Sequence, residues 1–226
     1  MDTALTPLLA ASVTFIGTHF AMSHPLRRPM VSVLGEKGFQ GVYSLVSIAV
    51  VVWMYFAFKA APAGTPLWTG FDDASWAAGS AVALLALVFH AGSFVGNPAM
   101  AMPGAEKAAC AKPGGLFRVT RHPMMWGFVM LGLAHMIAAP TARSLVIAVT
   151  IIVLALLGAH LQDRKKRELM GEAWVIWEQH TSYWPRLGGL LRAGWMPWMI
   201  GILLWLGLSW LHQPAGGIAA GIWRWV

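Results

Sequence analysis

Six stretches of predominantly apolar residues, at 4–23, 41–58, 75–93, 124–139, 145–161 and 195–211, dominate this chain. About twenty such residues cross the hydrocarbon of a bilayer as a helix, and only a helix or a closed barrel satisfies its own backbone polar groups there. The spacing predicts an all-α, polytopic membrane helix bundle of about six transmembrane helices, read as one domain over 1–226. Composition closes the soluble alternative, because 226 residues that are 58% hydrophobic and 11% charged leave too little polar surface to face water. The fourth and fifth stretches are joined only by Pro140, Thr141, Ala142 and Arg143, which predicts an antiparallel hairpin. The closing stretch, 215–226, is too short and glycine-rich to span and is expected at the interface, with Trp223 and Trp225 as aromatic anchors. Asp2 and the lack of a basic residue before the first stretch argue against a cleavable leader, so that stretch is read as retained.

A formal net charge of +7 would suggest nucleic acid in a soluble protein. In a membrane chain the position of the basic residues matters first, because it sets orientation. Thirteen of the sixteen lysines and arginines fall in three connections. Arg27, Arg28 and Lys37 lie in the first; Lys107, Lys112, Arg118 and Arg121 in the second; Arg164, Lys165, Lys166, Arg167, Arg186 and Arg192 in the third. Lys59, Arg143 and Arg224 fall on the other side. The positive-inside rule then puts those three connections in the cytoplasm and both termini on the non-cytoplasmic side of a cell inner membrane. The partner implied is the lipid bilayer, not nucleic acid.

One cysteine, Cys110, excludes an internal disulfide and a multi-cysteine metal site, which leaves histidine as the carrier of any metal chemistry. Four histidines fall within apolar stretches: His19, His90, His135 and His160. A single buried imidazole is as easily explained by a hydrogen bond to a neighbouring helix. Four on separate helices argue for a shared centre, and two imidazoles from facing helices are an arrangement that a haem iron accepts. His135 shares a ridge with Gly127 and Leu131, and Gly132 precedes it by one turn, leaving room for a flat macrocycle. His90 ends a ridge of Gly79, Ala83 and Ala86, which reads as a helix-packing face. Asp163, three residues after His160, is placed to accept its ring proton.

A second lead is R-V-T-R-H-P-M-M-W-G at 118–127, followed by Asp163, Arg164, Gly171, Glu172 and Trp174. Pro123 suits the first position of a helix, which puts Arg121 and His122 at the membrane boundary. There Arg121 is suited to clamp a propionate, a phosphate or a nucleotide carboxylate. Arg118 reads more simply as a positive-inside anchor.

Taken in order, H-F-A-M-S-H-P-L-R-R at 19–28, L-G-E-K-G-F-Q-G-V-Y-S-L-V-S at 34–47, R-H-P at 121–123, L-A-H at 133–135, D-R at 163–164 and G-E at 171–172 resemble the NnrU family. They are similar, more distantly, to zeta-carotene isomerase. The resemblance covers nearly the whole chain. It implies haem b as cofactor, with His19 and His135 as the axial metal ligands and His160 as a further histidine at the cofactor. It also implies an association with nitrite and nitric oxide reduction. The R-H-P segment further resembles isoprenylcysteine carboxyl methyltransferases, in which Arg121, His122 and Glu172 would line a pocket for S-adenosylmethionine. Here Met125, Trp174 and Trp177 stand where those enzymes carry tyrosines.

Three functions follow as expectations: a haem b membrane protein with redox or isomerase-like activity on a hydrophobic small molecule or with a redox partner; a membrane methyltransferase; and a non-catalytic assembly partner of a reductase. Depth bears on the first. His19 lies eight residues before Arg27, whereas His135 lies thirteen beyond His122, about 20 Å along a helix. Ligands of one iron must sit at similar depth, and His90 or His160 would match His19 better.

Overall fold

The computed structural model describes residues 3–100 and 102–226, and among these it is all-helical, with no strand. The α-helices are α1 (Thr6–Ser23), α2 (Arg27–Ala60), α3 (Asp73–Gly92), α4 (Ala105–Ala109), α5 (Pro123–Ala138), α6 (Ala142–Met170), α7 (Glu172–His180) and α8 (Trp195–Gly216). The six apolar stretches fall on α1, α2, α3, α5, α6 and α8. Of these, α2, α3, α6 and α8 are long and apolar enough to cross a bilayer, and α5 is apolar but shorter. The chain is a multi-pass membrane protein.

Two helices extend well past their apolar stretches. Residues 27–40, expected as a connection, continue α2 towards its N-terminus across a kink at Gly35 (φ 68°, ψ 170°). Only a residue without Cβ adopts that conformation cheaply, so helix forms on both sides of it. Arg27 and Glu36 close the kink with a two-pronged ion pair at 2.8 and 2.9 Å. The other extension is at 162–170 of α6, where arginine, lysine, glutamate and leucine are good helix formers, so the helix outlasts its hydrophobicity.

The chain divides into two compact units. One holds the described residues up to Trp68 with Pro140–Thr150, and the other holds Thr69–Ala139 with Ile151–Val226. In the first, Leu8 of α1 packs with Ala57 and Ala61 at the end of α2, and with Val146 and Ile147. Arg143 donates to the Ala61 carbonyl at 3.0 Å and lies over the Phe58 ring.

In the second unit α3 is central and packs against both α5 and α8. Asp72 caps its N-terminus by accepting from the Ser75 amide at 2.9 Å. The small residues of α3 do form a packing face: a Cβ on Gly79 would lie 3.0 Å from the Ala134 carbonyl and the Ala138 methyl of α5. One end of the unit is covered by Ala109, Phe117, Trp174 and Trp177, so the two tryptophans that stand in place of tyrosines are core residues. Trp223 does not stand free as an anchor. The turn Gly221–Arg224 folds back on α8, where the Trp223 indole donates to the Leu206 carbonyl and the Ser209 hydroxyl at 3.0 and 3.1 Å. Trp225 is exposed.

Candidate functional site

The R-H-P segment is pinned before its chemistry begins. The Arg121 amide donates to the Ser182 carbonyl at 2.8 Å, the Arg186 amide to the Val119 carbonyl at 2.8 Å, and the Thr120 hydroxyl to the Tyr183 carbonyl at 2.8 Å. Pro123 opens α5 as expected, because its missing amide hydrogen costs nothing at a helix start. Arg121 and His122 thereby meet the polar extension of α6.

There they share one carboxylate. Arg121 donates through Nε and Nη2 to Asp163 at distances of 2.6 to 3.1 Å, and its Nη2 lies 3.6 Å from Glu178. The His122 Nε2 sits 2.9 Å from the Asp163 carboxylate. The side chains of Asp163 and His122 are 6% and 0% exposed, so these are interior contacts at low dielectric. Tyr183 lies under the Arg121 guanidinium and edge-on to His122, and it donates its hydroxyl to the Leu156 carbonyl. Burial pushes the Tyr183 phenol up; the Asp163 charge pushes the same way and Arg121 opposes it.

The carboxylate lies beside the imidazole and restrains its orientation. Both ring nitrogens of His122 are buried, and neither has an aligned hydrogen-bond partner. His122 and Gln162 line a cavity of about 60 Å³, too small for a nucleotide. A nucleotide pocket also needs Arg121 and His122 open, whereas both face Asp163. Glu172 is exposed on α7. Arg118 is a loop tie, donating to the Pro113 and Arg192 carbonyls. The expected pairing of His160 with Asp163 does not form: Asp163 turns to Arg121 and His122, and His160 is exposed.

The histidines expected within the apolar stretches divide between the units. His19, in the first, sits edge-on between the rings of Phe15 and Tyr43, and its buried Nδ1 has no partner. His90 and His135 are in the second, at opposite ends of an antiparallel helix pair. A Cβ on Gly127 would lie 2.5 Å from the His90 ring. His90 therefore fills the space beside Gly127. His135 is eight residues further along α5, about 12 Å away by helical rise.

His135 instead faces a residue that the sequence reading did not count. Its ring centre lies 6.3 Å from that of His212 on α8, with the two planes 29° apart. His212 falls one residue beyond the apolar stretch 195–211, and for that reason it was not counted among the intramembrane histidines. Each of these imidazoles donates from Nδ1 to the carbonyl one turn back, His135 to Leu131 and His212 to Leu208, both at 2.8 Å. A carbonyl only accepts, so the ring proton sits on Nδ1 and the Nε2 lone pair is left for a ligand. Metal-bound histidines usually have this outer hydrogen bond.

The donor set also bears on which metal it suits. No group of three or more His, Cys, Asp or Glu placed to hold a metal ion occurs among the described residues. An iron that brings four porphyrin nitrogens needs only one or two imidazoles from the protein, so the residues present fit a haem better than a bare ion.

Residues 7–220 match the family described as NnrU protein. The chain is also 27% identical over 191 residues to the 15-cis-zeta-carotene isomerase, chloroplastic, of Zea mays, which covers 79% of this chain. It spans about half the length of that curated relative, 49%. No solved structure matches. With nearly its whole length inside the family's bounds, the chain belongs to the NnrU family.

Proposed function

We propose that this NnrU-family chain is a haem b-binding, multi-pass protein of a cell inner membrane, with redox or isomerase-like activity in the setting of nitrite and nitric oxide metabolism. One observation carries the reading. His135, which the family resemblance assigns to the iron, keeps its Nδ1 proton on the Leu131 carbonyl and so offers Nε2 as an imidazole donor. The same resemblance assigns His19, whose surroundings are aromatic.

Bound haem b would supply an iron that changes valence and takes up ligands. The chain's own part is to hold it. The Leu131 carbonyl sets the tautomer of His135. A hydrophobic small molecule would approach from the bilayer, a substrate class supported by the carotene in the relative's name. The Arg121–Asp163–His122 network serves here to position the start of α5 against the end of α6.

Six spans complete the proposal, with α1 and α5 added to the four longer helices as parts of one family domain. Both termini lie on the non-cytoplasmic side, supported by the thirteen basic residues in alternate connections. Cys110, exposed and the chain's single cysteine, then faces the cytoplasm. A membrane-impermeant thiol reagent should leave it unlabelled in intact cells and label it after lysis. Labelling of intact cells would invert the topology.

The test of the cofactor is an absorption spectrum of the purified full chain after reconstitution with haem b. A Soret band that shifts on reduction is expected, and the loss of its low-spin form in His135→Ala. A reconstituted protein with no Soret band ends the reading.

A further inference from the structure

We propose that His212 supplies the imidazole opposite His135, so that a six-coordinate haem is held between the ends of α5 and α8. The proposal rests on the haem b reading above and departs from it in the second ligand, which the family resemblance places at His19.

Three observations meet at this pair. The first is depth. Gly127 of α5 lies against Ala86 and His90, and Gly201 of α8 lies against Val88, so both helices start beside the C-terminal part of α3 and run antiparallel to it. From Gly127 to His135 is eight residues and from Gly201 to His212 eleven, about 12 and 16 Å of helical rise. Both histidines therefore arrive beside the first turns of α3, within about one helical turn of each other in depth.

The second is separation. An iron–nitrogen bond of about 2 Å on each side, plus about 1 Å from each nitrogen to its ring centre, sets two axial imidazoles roughly 6 Å apart centre to centre. The observed centres are 6.3 Å apart. The 29° between the planes imposes no penalty, because rotation about an iron–nitrogen axis leaves the bond intact.

The third is protonation. His90 and His180 also donate from Nδ1 to a carbonyl one turn back, so the bond marks a ligand only with a second feature, the family resemblance for His135 and the facing ring for His212. Among the described residues, His135 and His212 are prepared in this way and also lie ring beside ring. Coordination then forms two Nε2–iron bonds, displaces no proton, and leaves both outer hydrogen bonds in place.

The same end of the unit offers a guanidinium for a haem carboxylate. Arg224 donates to the Phe71 carbonyl at 2.9 Å, and the Phe71 amide donates to Ala138, three residues past His135. The Arg224 partner, Asp73, has a side chain that is 75% exposed. A carboxylate with better geometry competes readily with such an ion pair.

The experiment uses the full chain in detergent, loaded with haem b, and compares ferric and ferrous spectra of the parent with His19→Ala, His135→Ala and His212→Ala. The parent and His19→Ala are expected to show a six-coordinate low-spin spectrum. His135→Ala and His212→Ala are expected to lose it for a five-coordinate high-spin one. Millimolar imidazole should restore the low-spin signal in His212→Ala, which a variant that had merely failed to fold would not do. A low-spin spectrum that survives His212→Ala and disappears in His19→Ala overturns the pair and keeps the haem reading. Loss in His212→Ala without rescue also overturns it, and a parent that takes up no haem ends both.

Discussion

The two ends of the second unit solve opposite problems. At the R-H-P end, Arg121, His122, Asp163, Glu178 and Tyr183 turn their polar groups on one another, and the carboxylate at the centre is almost sealed from solvent. At the other end, His135 and His212 satisfy only their inner nitrogens and present the outer ones to the surroundings. The R-H-P segment is thus closed, and the chemically available nitrogens belong to His135, in the L-A-H motif, and to His212, which no motif marks. A local resemblance marks what must be held in register, and an unused donor marks where a ligand is to be sought.

If that contrast is right, stability and spectroscopy separate between the ends. The largest stability effect is expected for Asp163→Ala, which strands the Arg121 charge and the His122 ring in a buried place. Removing one partner of a buried ion pair costs about 3–5 kcal/mol. Thermal unfolding in detergent, followed by helical circular dichroism, should fall steeply while a haem spectrum of the surviving folded fraction keeps its shape. A changed spectrum with unchanged stability would reverse the roles of the two ends.

Gly127→Ala comes next, because its Cβ would meet the His90 ring at 2.5 Å and the Ala86 carbonyl at 3.0 Å. Overpacking of this kind costs about 1–3 kcal/mol. His90→Ala in the same chain should recover part of the loss, since the ring is the nearer obstacle. A purely additive double variant would mean that α3 and α5 do not press together there.

His135→Ala and His212→Ala should each change stability by no more than about 0.5 kcal/mol without haem, as exposed side chains bonded only to their own helix do. With haem bound, the same two substitutions should lower the thermal midpoint relative to the parent, because a ligand that binds only the folded state stabilises it. A large loss without haem would make the pair a packing feature instead.

Much of this fold was legible because the apolar runs are long and a bilayer allows them few other forms. All six fell on helices, and the small-residue face of α3 was correctly read as packing. What escaped was tertiary. The i+3 spacing of His160 and Asp163 was a local reason to pair them, but Arg121 and His122, some forty residues away, bring charge and a fixed geometry that His160 does not. The kink at Gly35 hid a longer helix, because a glycine among polar residues reads as a loop when no neighbouring helix is in view. His212 was missed by one residue, since hydropathy finds where a helix becomes polar and not where it ends.

The smallest effect expected is at Asp72, and it tests whether the imidazole end is as open to solvent as the contrast requires. Hydrogen bonds from the Ser75 amide and then the Ser75 hydroxyl hold the Asp72 carboxyl below the usual carboxylate range. A depressed folded-state value means that the cap contributes fully above the ordinary carboxylate range and loses its contribution as pH falls through the folded value. Asparagine also caps helices but does not titrate there, so Asp72→Asn should lack this acid limb and its thermal midpoint should approach the parent's as pH drops. Because the Asp72 carboxylate is only partly buried, added salt should shrink even this difference, whereas the Asp163 penalty at the sealed end should survive the same salt. Equal salt sensitivity at Asp72 and Asp163 would show that the two ends are solvated alike, and the distinction drawn between them would fail.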